Sequence, residues 1–422
     1  MKSNFIAGKT YIPASGKFFD KEEINNAIKV AKQGWWTEGE FAARFEEVFG
    51  KFLGIKFISL VNSGSSANLL ALAALTCQEL GKKRLKKGDE FITTPVCFPT
   101  TVNPGIQYGL TPVFIDAKIN TLNIDTKKIE QAITSKTKLI MIAHTLGKPF
   151  YLPQVLKLVK KYDLWLIEDC CDALGSRYDG RLVGNFGHIA TFSFYPAHQI
   201  TMAEGGAIAT QDPLIHKLIR QLRDWGRDCW CATGKDNTCG QRFNWKKGEL
   251  PKGFDHKYIY SQIGYNLKLT DFQAAIGLAQ LKKLPFFLKK RQENYHDFYN
   301  FFKKFDNFFT LPKEDDRAQV SYFGFPLLVK EDAPFTKNEL MIYLENRKIG
   351  TRNVFAGNIL RHPAYIKHKK KFKIIGEMEN ADKIMENGFW IGVWPGIDRT
   401  RREYIKKTIA RFIQDFASRR FK

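Results

Sequence analysis

From residue 56 to about residue 225, short apolar runs rich in β-branched side chains alternate with amphipathic stretches. Residues 56–60, 90–94, 111–116, 139–143, 164–168, 189–194 and 207–210 predict strands. Residues 65–80, 101–108, 153–162 and 213–225 predict helices between them, and residues 21–33 a helix before the first strand. Such alternation forms βα units and a mostly parallel sheet, with function at the carboxyl ends of its strands. Beyond residue 270 the rhythm changes to long helical patterns at 271–284 and 289–305, a strand-like run at 320–328 and a mixed tail. The expected architecture is α/β. A large domain over residues 1–285 carries a mostly parallel central sheet flanked by helices, and a smaller C-terminal α/β domain spans 286–422. Residues 227–260 break the pattern, with many Gly, Asn and Lys, few aliphatic residues and three cysteines. A stretch of that kind is expected to be a long inserted loop that a ligand orders.

The chain has 422 residues, 44% of them hydrophobic, enough to bury a large core and to exclude disorder or a disulfide-stapled mini-fold. No apolar run nears the roughly 20 residues of a membrane-spanning helix, and the start lacks the apolar stretch of a secretory signal, so a cytoplasmic location is expected. The 66 Lys+Arg against 43 Asp+Glu give a net charge of +23. That charge suits nucleic acid, phosphate-bearing substrates, an acidic protein partner or plain solvation. Its dense patches are confined to 82–87, 367–373 and 419–422, and no helix-turn-helix, finger or aromatic-basic motif accompanies them. Neither nucleic acid nor membrane is an expected partner.

Three motifs carry candidate chemistry. Asn62-Ser63-Gly64-Ser65-Ser66-Ala67-Asn68 lies between a predicted strand and helix. Small residues there let N–H groups and hydroxyls close around a phosphate, and a serine-capped turn has the same composition. Ile167-Glu168-Asp169-Cys170-Cys171-Asp172 ends an apolar run. An acid at that point needs a partner: a cationic heterocycle nitrogen, a helix it caps, or a buried salt bridge. The third motif is Thr191-Phe192-Ser193-Phe194-Tyr195-Pro196-Ala197-His198, followed by Glu204-Gly205-Gly206-Ala207.

In this order, over nearly the whole chain, the motifs resemble the fold-type I pyridoxal phosphate enzymes of the sugar aminotransferase (StrS-like) family. Members usually hold the coenzyme through a lysine, and here that position belongs to His198. Imidazole cannot make the covalent link, yet a group of pKa near 6.5 moves protons readily. The resemblance therefore implies free pyridoxamine 5′-phosphate as coenzyme and His198 as base, with a degenerate, inactive aminotransferase as the competing reading. It further implies that Asp169 pairs with the pyridinium nitrogen, that Ser65, Ser66 and Ser193 hold the phosphate, and that Phe98 stacks on the ring. Asp172 is placed in the same pocket. Asn266 would reach the phosphate site of a neighbouring subunit, which implies a homodimer.

Four of the seven cysteines, Cys171, Cys229, Cys231 and Cys239, follow the spacing C-x57-C-x-C-x7-C. Four thiolates suit a [2Fe–2S] cluster or a structural zinc, although a one-residue gap is unusual for zinc. The series is similar to the one that binds [2Fe–2S] in the CDP-4-keto-6-deoxyglucose 3-dehydrases. The activity implied is C3 deoxygenation of a nucleotide-linked, most simply CDP-linked, 4-keto-6-deoxyhexose in 3,6-dideoxyhexose and lipopolysaccharide O-antigen biosynthesis. An NAD(P)H-dependent flavin/iron–sulfur reductase would supply electrons. Cys77, Cys97 and Cys170 read as buried thiols. The alternatives are a cluster-free dehydrase or aminotransferase with zinc and, from another class, a DNA-binding regulator, for which no recognition-helix domain is seen.

Overall fold

The computed structural model describes residues 5–419; the basic patch at 419–422 lies outside them except for the backbone of Arg419. Eight strands form one sheet in the order Phe57–Val61, Gly206–Thr210, Ile189–Ser193, Trp165–Asp169, Thr137–Ala143, Glu90–Thr93, Thr111–Ile115, Lys373–Ile375. Gly206–Thr210 runs antiparallel to both neighbours and every other pairing is parallel. These strands bury both faces, which explains why they read as continuous apolar runs. Alternate residues supply the two faces. Phe91, Phe114, Ile167 and Ile208 pack with the helices Gly64–Ala74, Pro99–Gln107 and Pro213–Arg223. On the other face Ile92, Ile140 and Leu166 meet Leu152–Tyr162, while Ile58, Ala190 and Phe192 meet Glu40–Leu53 and the long helix Asp271–Phe302.

A second, antiparallel sheet has the order Phe309–Thr310, Gly324–Val329, Gly388–Gly392, Thr351–Asn353. Its core is dominated by phenylalanines, among them Phe298, Phe302, Phe325, Phe389 and Phe412. The α/β, fold-type I architecture is as expected.

Three local features differ from the sequence reading. The helices expected at 271–284 and 289–305 are one helix, Asp271–Phe302, that runs through Pro285. Proline removes one ladder hydrogen bond, but Pro285 is exposed, so water can satisfy the carbonyl it leaves unpaired. The helix expected to reach residue 80 ends at Ala74. Thr76 Oγ1 donates back to the Ala73 carbonyl (2.7 Å) and the Leu85 N–H takes that of Leu75 (2.7 Å), closing the ladder. The edge strand Lys373–Ile375 returns from the C-terminal part of the chain to pair with Thr111–Ile115. Its three residues are too short and mixed to stand out as a run.

Candidate active site

The carboxyl ends of Phe57–Val61, Ile189–Ser193 and Trp165–Asp169, with the amino end of the antiparallel Gly206–Thr210 between the first two, bring the motifs together. Val61, Gly206 and Ser193 are in register, and Asp169 lies opposite Thr191 one strand further on. Gly206 is required here by close approach. A Cβ on it would stand 2.4 Å from the Ser63 carbonyl oxygen and 2.8 Å from the Gly64 nitrogen, so the Glu-Gly-Gly loop and the serine loop lie backbone to backbone. Ser63 caps the helix Gly64–Ala74 by accepting from the Ser66 N–H (3.1 Å). Ser66 Oγ donates to Asn62 Oδ1 (2.6 Å) and Ser65 Oγ to Thr100 Oγ1 (3.2 Å). Ser65 is exposed, which leaves its hydroxyl free to exchange that partner for a ligand. The helix N-terminus and its hydroxyls thus form an anion cradle. Phe98, at the start of Pro99–Gln107, is 53% exposed, an unusual state for a phenylalanine beside a polar pocket.

Asp169 is 4% exposed and fully engaged. Asn68 Nδ2 (2.9 Å) and Thr101 Oγ1 (2.7 Å) donate to its Oδ2, and the Cys171 N–H donates to Oδ1 (3.1 Å). Thr191 Oγ1 in turn donates to Asn68 Oδ1 (2.6 Å), fixing the amide. Glu168, one residue earlier, points to the other face. There the N–H groups of Gly184, Phe186 and Gly187 donate to it and His144 Nε2 lies 3.2 Å away. Burial works against its charge, but His144 and those N–H groups hold its pKa below the usual value. The pairing of Glu168 and His144 is a structural one.

His198 follows Ser193 on a tight loop, its N–H donating to the Tyr195 carbonyl (2.9 Å). Its Nδ1 is 3.5 Å from Asp172 Oδ1 and its ring packs on Phe323 at 5.2 Å. Arg291, from the long helix, is 1% exposed and donates to the carbonyls of His198 (3.0 Å), Tyr322 and Phe323 (3.1 Å each). Burial, reinforced by the Arg291 charge, lowers the His198 pKa to about 3. Burial and the nearby Asp169 raise Asp172 well above the carboxylate range. The pair is thus pushed in opposite directions, the imidazole toward its neutral form and the carboxyl toward holding its proton, which is the division between a proton acceptor and a proton donor. Asp172 Oδ2, His198 Nδ1, Gln199 Oε1, Arg291 Nε and Ser321 Oγ are all buried without a hydrogen-bond partner. So many unsatisfied atoms in one place fit a site built around a polar guest.

A model of the DegT/DnrJ/EryC1/StrS aminotransferase family matches residues 18–410. The chain belongs to this family. It is 49% identical over 408 residues to the lipopolysaccharide biosynthesis protein RfbH of Salmonella typhimurium, covering 97% of this chain and 93% of that protein. It is 45% identical to the dTDP-4-dehydro-2,6-dideoxy-D-glucose 3-dehydratase of Saccharopolyspora spinosa, covering 97% and 88%. Among solved structures, the E. coli GDP-4-keto-6-deoxy-D-mannose-3-dehydratase with bound hydrated PLP superposes with a TM-score of 0.84 at 30% identity, covering 94% of this chain and 99% of that one.

The DegT/DnrJ/EryC1/StrS coenzyme fits the residues present. There is an anion cradle, a buried carboxylate held by three donors, an exposed aromatic ring and no lysine at position 198. Asn266 is exposed, its backbone bridged to Asp224, while the adjacent Leu267 carbonyl accepts from the Asn62 N–H (2.9 Å).

Among the described residues, 227–260 hold only one helical turn, His256–Tyr258. Buried Asp228 organises this stretch by accepting from Gln221, Lys247 (2.7 Å) and Ser261. Ligand atoms of Cys229, Cys231 and His256 lie within 4.8 Å of one another, and Cys239 Sγ is 3.3 Å from His256 Nε2. Hydrogen bonds from Thr238, Cys229 and the Cys239 backbone outweigh burial and lower the Cys231 thiol to about 7, which suits a metal ligand. Cys171 is not in this group. Its Sγ stands by the coenzyme cradle, 3.1 Å from where a Cβ on Gly64 would be. The remaining thiols, Cys77, Cys97 and Cys170, are buried.

Asn68, Thr101, Arg291 and His256 carry structural weight that sequence reasoning did not assign. Asn68 lies inside the serine-rich motif and His256 within the pattern-breaking stretch 227–260, whereas Thr101 and Arg291 sit in ordinary helical patterns that carry no signal.

Proposed function

We propose that the chain is a pyridoxamine 5′-phosphate-dependent 3-dehydratase of a nucleotide-linked 4-keto-6-deoxyhexose, with the CDP-linked 4-keto-6-deoxyglucose as substrate, in 3,6-dideoxyhexose formation. The observation that carries this reading is a neutral histidine, His198, at the lysine position of an otherwise complete cradle. The names of the 49% and 45% identical relatives support it, the second being a sugar 3-dehydratase. When bound, the coenzyme supplies an amine that meets the 4-keto group and a ring that withdraws electrons from the sugar.

Asp169, oriented by Asn68, Thr101 and the Cys171 N–H, would hold the proton on the pyridine nitrogen. Ser65, Ser66 and Ser193 would bind the phosphate, and Phe98 would cover the ring. His198 would take the proton from C4′ of the coenzyme. Asp172, 3.5 Å away with its pKa raised by burial, would return a proton toward the C3 hydroxyl as it leaves. Cys229, Cys231 and Cys239, with Cys171 as the fourth cysteine of the series, would hold a [2Fe–2S] cluster, which supplies one-electron transfer from a partner reductase. A homodimer completed at Asn266 and a cytoplasmic location belong to the same reading. Among the described residues no helix is long and apolar enough to cross a membrane.

A second reading has its own support: three sulfurs and one imidazole nitrogen are also the donor set of a structural zinc. Iron, sulfide and zinc analysis after anaerobic purification separates the two. The activity test is incubation with pyridoxamine phosphate, a reductase and the CDP- or dTDP-linked 4-keto-6-deoxyglucose. His198→Asn is expected to lose C3 elimination while keeping its metal. Elimination by that variant at near the wild-type rate would show that the base is elsewhere.

A further inference from the structure

The segment that enters the second sheet, residues 321–323, passes directly against the loop that carries His198. Its own place is fixed from the side of the large sheet. Ser176 Oγ accepts from the Ser321 N–H (2.8 Å), the Leu146 carbonyl accepts from the Phe323 N–H (3.0 Å), and the Ser321 carbonyl comes so close to Gly147 that no Cβ would fit there. Two buried side chains then join the segment to the His198 loop. Gln199 Nε2 donates to the carbonyls of Asp172 (2.5 Å) and Ser321 (3.1 Å). Arg291, reaching in from the long helix, places Nη1 on the carbonyls of Tyr322 and Phe323 (3.1 Å each) and Nη2 on that of His198 (3.0 Å). The imidazole itself rests on the Phe323 ring at 5.2 Å, and that ring is backed at 5.3 Å by Trp390 from the strand Gly388–Gly392. His198 is thus gripped twice from the second sheet, its backbone through Arg291 and its ring through Phe323.

We propose that Arg291 and Phe323 act as one positioning unit for His198, so that the base of the large domain takes its place from the second sheet. The inference deepens the reading of His198 as the base and rests on it. A guanidinium suits this task because its planar fork aims donors at separate acceptors at once, which the single ammonium of a lysine does not reproduce. The hydrogen bonds of Arg291 run to backbone carbonyls, so what it holds is the path of two chain segments relative to each other. Proton transfer depends on where the accepting nitrogen stands, and a displacement of about 1 Å costs up to about a hundredfold in rate. The cradle and Asp169 are held by other partners, Asn62, Asn68 and Thr101. Loss of the grip should therefore lower kcat and leave coenzyme affinity unchanged.

The test compares the wild-type full chain with Arg291→Lys, Phe323→Leu, the double variant and, as a control, Phe298→Leu, which loosens the core of the second sheet further along the same helix. In coenzyme-free protein, diethyl pyrocarbonate labelling of His198, mapped by mass spectrometry and referred to exposed His368, reads how firmly the imidazole is held. With pyridoxamine phosphate, kcat for C3 elimination and coenzyme affinity by calorimetry are measured separately. Each single variant is expected to label several times faster at His198 and to lose about ten- to a hundredfold in kcat at unchanged coenzyme affinity. The double variant should be no worse than the more impaired single, because both act through one grip, and Phe298→Leu should lower only the melting temperature. Wild-type labelling and kcat in Arg291→Lys overturn the proposal, as do losses that multiply in the double variant or equally fast labelling in Phe298→Leu. Should Arg291→Lys not fold, Phe323→Leu decides: faster labelling with lower kcat at unchanged coenzyme affinity supports the grip, and wild-type values overturn it. Wild-type protein that catalyses no elimination overturns the reading of His198 as the base, a distinct failure, since the labelling still decides how the imidazole is held.

Discussion

Gly64→Ala probes the join between the phosphate cradle and the strand that carries Ser193. Gly64 opens the helix Gly64–Ala74 with ordinary helical geometry, so alanine meets no backbone objection. Its Cβ would stand 2.5 Å from Ser193 Cβ and 3.0 Å from Ser193 Oγ. Carbon atoms pack at about 3.5–4.0 Å, so the helix start and the strand end must part by about 1 Å. Overpacking of this size costs about 1–3 kcal/mol, and replacing a helical glycine returns about 0.5–1 kcal/mol, leaving a net loss of roughly 0–2.5 kcal/mol in global stability. Coenzyme binding suffers in addition. Displacing the Ser193 hydroxyl forfeits a hydrogen bond to a charged phosphate worth about 1.5–3 kcal/mol, an affinity loss of about ten- to a hundredfold. Titration of coenzyme-free protein with pyridoxamine phosphate by calorimetry, beside a thermal melt, measures both effects. Affinity within twofold of wild type would refute the assignment of Ser193 and the Gly64 loop to phosphate binding, whatever happens to the melting temperature.

Other consequences follow from the same geometry. With His198 lowered to about 3 in the fold against about 6.5 unfolded, the unfolded chain binds the extra proton between those values. Relative to His198→Asn, wild type should therefore lose up to about 1.4 kcal/mol of stability per pH unit as pH falls below 6.5, read from urea unfolding; parallel curves would exclude a buried neutral imidazole. Arg223 is fully buried, donates to both oxygens of Glu38 (2.6 and 2.7 Å) and to the Leu60 carbonyl (2.8 Å). Arg223→Met should cost about 3–5 kcal/mol in denaturant unfolding, because it removes the buried cation paired with both Glu38 and Asp224 and leaves Glu38 only the more distant Arg220 (3.7 Å) as a cation. In metal-free protein Cys231, lowered to about 7, should be the first thiol alkylated by iodoacetamide near pH 7, ahead of buried Cys77, which burial pushes up to about 12. Mass-spectrometric mapping checks the order, and metal reconstitution should protect Cys231.

The layer architecture was legible because strands buried on both faces leave continuous apolar runs, and the cradle because close backbone approach demands glycine and small hydroxyl residues, as at Gly64 and Gly206. The network around Asp169 was not, since Thr101 and Asn68 become partners only when the helices that carry them dock on the sheet. Arg291 illustrates the same limit from further away: 93 residues separate it from His198, whose carbonyl it holds. Among the cysteines, spacing singled out all four of the series, but in the loop Cys229 and Cys231 group with His256, and Cys239 lies against that same imidazole. The place of Cys171 beside the cradle is a tertiary fact, set by where its strand ends.

The return of Lys373–Ile375 to the edge of the large sheet bears on biogenesis. Until residue 375 has left the ribosome, the N–H and C=O groups along one side of Thr111–Ile115 have no partner, although the other strands of that sheet have long been synthesised. An open, apolar edge of this kind is a template for pairing with another nascent chain. Truncations that remove the C-terminal part should therefore uncover this edge and aggregate rather than yield a free coenzyme domain.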